Sequence, residues 1–284
     1  MRGINLKNYT EFKLMKSIIT AQDLPSWYEK SEFIYGGYRN PLTHSTLYDC
    51  ASSIFTWHNE TLNIHTHLWS AISFPMIFWW FTQQEFYQTL SPLAKACVIN
   101  GVIGPILMGL TSAFAHTFFI INKEWYDFSW RIDMVGIVTV LYSHLIADIY
   151  IITVLLYRDF RLFYCLAALS LLFGIYCIRK VFVENQLVTY AITYGFVGSV
   201  PFTSTLFYLA FSSPYNYALR TAATLSLSCS VSCVIAVSFF FIGKIPERYW
   251  PHTVVKSHAL HHIFITIGVY CALGMVPYIT SITS

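Results

Sequence analysis

Charged side chains are scarce in this chain: 17 Lys and Arg with 14 Asp and Glu make up only 11% of its 284 residues, where a soluble domain carries about 25%. That scarcity excludes an ordinary water-soluble globule, and a net charge of +3 is too slight for a nucleic-acid-binding surface. No Cys-x-x-Cys pair occurs. Cys50, Cys97, Cys165, Cys177, Cys229, Cys233 and Cys271 are odd in number and scattered mostly through apolar runs, so they read as small core residues rather than a disulfide framework. Internal repeats and low-complexity tracts are also missing. The first fifty or so residues hold no apolar stretch and instead carry Arg2, Lys7, Lys13, Lys16 and Lys30, so no cleavable signal peptide is expected there.

What the chain has in excess is apolar surface: 56% hydrophobic and 18% aromatic residues, with a mean hydropathy of +0.53. This is the composition of a multi-pass integral membrane protein, in the endoplasmic reticulum or the plasma membrane. Seven apolar runs, near 64–82, 96–120, 133–156, 162–178, 187–211, 220–242 and 258–280, each approach the roughly 20 residues that span a bilayer as a helix. The fold class expected is therefore all-α, a seven-helix membrane bundle over 45–284 preceded by a polar arm over 1–44. Aromatics Trp27, Tyr28, Phe33, Tyr35 and Tyr38 in the arm predict that its later part docks. Over 45–58, Leu47, Ala51, Ile54, Phe55 and His58 recur at helical spacing opposite Asp49, Ser52 and Ser53, which predicts a short helix lying at the interface. Pro75, Pro105, Pro201 and Pro277 predict kinks. With the arm in the cytosol, thirteen Lys and Arg fall on that side and four on the other. The positive-inside rule then places the N-terminus in the cytosol and the C-terminus on the exoplasmic or lumenal side.

Ionisable groups inside spans cost on the order of 2.5–3.5 kcal/mol each at a helix centre, so those that share a depth are expected to be paired or bound. The second run ends on Ser112-Ala-Phe-Ala-His116, the third begins at Asp133, and the seventh begins at Lys256-Ser-His-Ala-Leu-His-His262, all toward the cytosolic side. His258 and His262, four apart, share one helix face; His261, three from His258, is the alternative partner. One pair of imidazoles holds no ion, but a third from His116 completes a zinc set that leaves one position open, as catalytic sites do. Asp133 is the candidate to handle a water's proton there, and Ser112, one turn before His116, to steady an imidazole or a substrate carbonyl. Against this stands the plainer reading of helix-start histidines and a serine bonded back to its own helix. His65 and His67, two apart and roughly 200° apart around a helix, cannot both face one interior metal, and one is expected to be a polar interface residue. His44, His58, His144 and His252 show no ligand pattern, and Asp148 is a lone acid in the third run.

Several stretches resemble the progestin and adipoQ receptor family, with its haemolysin III relatives, and in character the fungal Izh members. These are Phe33-Ile-Tyr-Gly-Gly-Tyr-Arg39, the run Ser53-Ile-Phe-Thr-Trp-His-Asn-Glu-Thr-Leu-Asn-Ile-His-Thr-His-Leu68, Ser112 with His116, Asp133, Gly243-Lys-Ile-Pro-Glu-Arg248, and Ser257-His258 with His262. His65 and Ala259 depart from that pattern. The resemblance implies seven helices with a cytosolic N-terminus. It also implies zinc held by His116, His258 and His262 rather than His261, with Asp133 reaching it directly or through water. Function is less settled than fold. The leading expectation is a zinc-dependent amide hydrolase of the ceramide type, in which water attacks the amide and a fatty acid leaves. Its partners would be the bilayer and a fatty-acid- or ceramide-like lipid. The alternative is an adiponectin- or progestin-receptor-like protein in which zinc is structural. Zinc transport is disfavoured, because histidines at one depth make a trap without an exit.

Overall fold

The computed structural model of the protein describes residues 17–184, 202–212, 216–251 and 253–283. In chain order the elements are β1 (Ile18–Thr20), β2 (Gly36–Arg39), α1 (Leu47–Ser53), α2 (Thr61–Thr82), α3 (Glu85–Gln88), α4 (Pro92–Phe118), α5 (Lys123–Tyr150) and α6 (Phe160–Glu184). After them come α7 (Phe202–Ser212), α8 (Tyr217–Ile235), α9 (Ser257–Gly274) and α10 (Val276–Thr283). π-Helical turns at Ile151–Leu156 and Ala236–Ile242 prolong α5 and α8. The architecture is an all-α membrane bundle. Among the described residues, five helical segments are long and apolar enough to cross a membrane: Pro92–Phe118, Lys123–Leu156, Phe160–Val183, Tyr217–Ile242 and Ser257–Ser281.

Helix α2 falls outside that set although it has 22 residues, because Asn63, His65, His67, Ser70 and Ser73 dilute its hydropathy. Its outer face is nonetheless a lipid-like stripe: Trp69, Ile72, Met76 and Trp79 are all more than half exposed, at spacings of three and four. The opposite face carries Phe74 and Phe81 into a core shared with Val102 and Met108 of α4, Val140 of α5, and Val269 and Leu273 of α9. Of the expected span 187–211, residues 187–201 and Pro201 with them lie outside the described residues. A break at Met275 separates α9 from α10 just ahead of Pro277.

Three boundaries differ from expectation. Helix α5 starts ten residues before the apolar run, since the Asn122 side chain accepts the Trp125 N–H and caps it there; apolarity marks the bilayer, not the helix end. The interfacial helix is half its expected length, because the hydroxyls of Ser52, Ser53 and Thr56 donate back to carbonyls three residues earlier and end it. Its buried face is Cys50 and Ser53, while Leu47, Tyr48 and Phe55 are exposed. The third difference is the antiparallel pairing of β1 with β2, Ile18 opposite Arg39. This ribbon and the aromatics behind it dock on the α4–α5 turn: Tyr28 lies 5.8 Å from Tyr38 and 5.7 Å from Phe119, and Trp27 lies 5.9 Å from Tyr126.

Candidate metal centre

Helix packing decides where the polar residues meet. α4 packs most extensively on α5 and then on α2, and α9 lies against α8 and α2. Close approach of α2 to α4 depends on Gly109, where a Cβ would sit 2.8 Å from the carbonyl oxygen of His67. Gly136 plays the same part between α5 and α4, with Met108 Cα 3.0 Å from where its Cβ would be. At the other boundary the buried Glu247 carboxylate accepts the Ser257 N–H at 2.7 Å and the Ser257 hydroxyl at 2.5 Å. It thereby fixes the first turn of α9, which carries His258.

Four imidazoles converge at this end of the bundle. The His116 ring lies 5.1 Å from His258 and 5.3 Å from His262, and His258 lies 4.4 Å from His262. The fourth is His67, 3.8 Å from His262 and 5.9 Å from His116, ring centre to ring centre. Nitrogens of His67, His116 and His262 all lie within 4.8 Å of one another, so this buried cluster could hold a metal ion. His258 is half-buried beside it. His261 points elsewhere, bonded through Nδ1 to the Ala236 carbonyl at 3.0 Å.

The spacing of His65 and His67 excludes that both face one metal. That exclusion holds for the pair and not for either member: His65 turns out to the Ile54 carbonyl, 2.9 Å away, while His67 turns in. Among the remaining histidines, His44 bonds Asn40 O, His58 bonds Ser53 O and His144 bonds Val140 O. His252 lies outside the described residues. Asp148 follows Asp133 by fifteen residues on α5, about 22 Å further along the helix at 1.5 Å per residue.

The donor set fits a cation. Both ring nitrogens of His67 and Nε2 of His116 are buried with no hydrogen-bond partner among the described residues, an arrangement that costs free energy unless something binds them. His262 has its Nδ1 3.2 Å from the Thr66 hydroxyl. His116 has its Nδ1 2.8 Å from Glu60 Oε2. Burial alone pushes the Glu60 carboxyl up. The hydrogen bonds from His116 and the Asn63 amide outweigh burial and hold it at about 2, so Glu60 is a carboxylate. A second buried acid, Asp133, lies on α5. Beside Glu60, a cavity of about 280 Å³ is lined by Tyr35, Trp57, Asn59, Asn63, Lys256 and Ala259 among others.

A multi-pass helical membrane protein with a buried histidine cluster able to hold a metal ion is the class that this fold and site define. Residues 55–273 match the haemolysin-III related family, and the chain belongs to that family, together with the adiponectin receptor-like proteins of the progestin and adipoQ receptor group. It is 26% identical to heptahelical transmembrane protein 3 of Arabidopsis thaliana, over 91% of this chain and 86% of that one. It is 21% identical to the ADIPOR-like receptor IZH2 of Saccharomyces cerevisiae, over 92% and 83%. With progestin and adipoQ receptor-like protein 1 of Caenorhabditis elegans the identity is 28%, over 52% of this chain and 33% of that one.

Proposed function

We propose that this chain is a zinc-binding membrane enzyme that hydrolyses a lipid amide of the ceramide type. The observation that carries this reading is the division of labour between two buried carboxylates. Both oxygens of Glu60 are engaged, by His116, Asn63 and Asn59. Asp133, buried on α5, pairs with no basic side chain among the described residues, which leaves it lone pairs with which to accept a proton. Imidazoles of His116, His258 and His262 suit zinc, which when bound would supply Lewis-acid chemistry at the cluster. Asp133 would orient the attacking water, take its proton and pass that proton to the departing amine. The products are a fatty acid and an amino alcohol.

The substrate is drawn from the bilayer. The lipid-like stripe of Trp69, Ile72, Met76 and Trp79 lies on the helix that also carries His67, and the distribution of Lys and Arg puts this end of the bundle at the cytosolic leaflet. The test is purified protein with a labelled short-chain ceramide, with and without a chelator. Chelator-sensitive release of fatty acid is expected, and no release by metal-loaded protein would remove the hydrolase reading.

A second reading is favoured by His67. Were its nitrogen to fill the position that hydrolysis needs open, the metal would be a closed clamp joining α2, α4 and α9, as suits a receptor-like protein. The yeast relative carries the name of a receptor.

A further inference from the structure

The nitrogen of His116 that faces the cluster is selected by a residue outside the bundle proper. Glu60 precedes α2, yet its Oε2 reaches Nδ1 of His116 at the far end of α4, 2.8 Å away. A carboxylate only accepts, so the proton sits on Nδ1 and the lone pair on Nε2. Nε2 is the buried atom without a partner, and the rings of His67, His258 and His262 surround it. Glu60 is itself held: Asn63 Nδ2 donates to Oε2 at 2.7 Å, and Asn59 Nδ2 donates to Oε1 at 2.5 Å.

The backbone of His116 is held separately. Arg39, 1% exposed on β2, donates from Nη2 to the His116 carbonyl at 2.6 Å and from Nη1 to the Thr117 carbonyl at 2.7 Å. These are carbonyls of the last turn of α4, which lack partners within the helix. Nη1 also donates to Ser53 of α1 at 3.0 Å. One histidine is thus gripped twice by the segment that precedes the bundle, at its ring by Glu60 and at its carbonyl by Arg39. A purely architectural contact would need the backbone grip alone.

We propose that Glu60 is a positioning residue for the metal centre. It fixes the tautomer and ring plane of His116 and raises its donor strength, so that the segment from β2 to Glu60 is part of the metal site rather than a lid upon it. The proposal rests on His116 being a metal ligand. Carboxylate–histidine–metal relays of this kind are general, and loss of the carboxylate costs about 10–100-fold in metal affinity.

The experiment is zinc affinity by chelator competition on the detergent-purified full chain, with the visible spectrum of the cobalt-substituted protein and the melting temperature of the metal-free form. Glu60→Gln keeps the volume. Its amide oxygen can replace Oε2 only by turning the amide N–H groups onto the Asn59 Nδ2 donor, and the flipped amide turns them onto His116 and Asn63. Expected are a 10–100-fold loss of zinc affinity, a changed cobalt spectrum and a metal-free melting temperature close to that of the unchanged protein. Asn63→Ala, which leaves the histidine contact in place, should loosen zinc less in the same direction, and it decides the matter if Glu60→Gln does not fold. Zinc held as tightly by these variants as by the unchanged protein, with the same cobalt spectrum, overturns the role of Glu60 alone. Absence of any metal binding by the unchanged protein overturns the metal-centre reading, and this inference with it.

Discussion

The rings of His67 and His262 lie 3.8 Å apart, the closest approach among the imidazoles of the cluster, although one comes from α2 and the other from α9. Two overlapping sets of three follow, His67 with His116 and His262, and His258 with His116 and His262. The members common to both sets should be indispensable. His116→Ala and His262→Ala are expected to abolish zinc in the purified protein. His67→Ala or His258→Ala should weaken zinc binding without abolishing it, since each leaves one of the two sets of three intact, and the double variant should be empty. His261→Ala should retain metal. Elemental analysis after desalting gives the answer, and a His67→Ala protein indistinguishable from the unchanged one would make His67 a bystander.

Gly109 sets the distance between the two helices that carry His67 and His116. A methyl group there would meet the His67 carbonyl oxygen at 2.8 Å and the Ala71 nitrogen at 3.0 Å, both backbone atoms that cannot step aside. Gly109→Ala should therefore push α2 off α4, destabilising the protein by about 1–3 kcal/mol, the usual cost of overpacking. Zinc affinity should fall with it. A variant with unchanged melting temperature and full metal would show that the interface yields more readily than its geometry implies.

How much of this was legible in the residues differs by element. The nearness of His116, His258 and His262 is what helical spacing and depth lead one to expect, because membrane helices of known direction put residues near their ends in one layer. The angular argument that set His67 aside treated it as half of a pair, and only packing shows which of His65 and His67 turns inward. Glu60 and Arg39 stand in stretches that resemble the family, but no spacing argument joins them to the histidines. Both lie in the segment before α2, and what brings them to the end of α4 is the docking of Tyr28 and Tyr38 on Phe119 and Tyr126, a long-range fit that periodicity does not encode. Helix α5 began early for a related reason, since the cap at Asn122 lies outside the apolar run.

His58 makes the same segment sensitive to acid. Its Nε2 donates to Ser53 O and its Nδ1 accepts the Glu60 N–H, each at 3.1 Å, an arrangement that requires the neutral ring. Burial, and then the Arg39 charge, push its pKa down to about 4, against about 6.5 in an unfolded chain. The unfolded state therefore binds the proton more readily. The stabilisation is complete above about pH 6.5 and is lost as pH falls toward about 4. At about 1.4 kcal/mol for each tenfold change in proton affinity, the loss is at most about 3.5 kcal/mol. Melting temperatures recorded with chelator present should fall over this range, and His58→Gln, which can make both hydrogen bonds but does not titrate, should flatten the dependence. Parallel curves for the two proteins would assign the acid sensitivity elsewhere.

Asp133 separates hydrolase from clamp. If its carboxylate serves only to take a proton from water, Asp133→Asn should keep most of the zinc, because the imidazoles hold the ion and the amide keeps the volume of the carboxylate. Hydrolysis of a ceramide should nevertheless fall by on the order of 10²–10⁴, the contribution of a positioned base, since an amide can orient water but cannot accept its proton. In a receptor-like protein with a closed metal site, the same substitution should leave both metal and ligand response in place. Zinc content and fatty-acid release are measured on one preparation, so the outcomes do not overlap. Full metal with undiminished hydrolysis would remove Asp133 from the base role. Loss of zinc itself would make Asp133 a direct ligand, fill the position that water needs, and turn the reading toward the clamp.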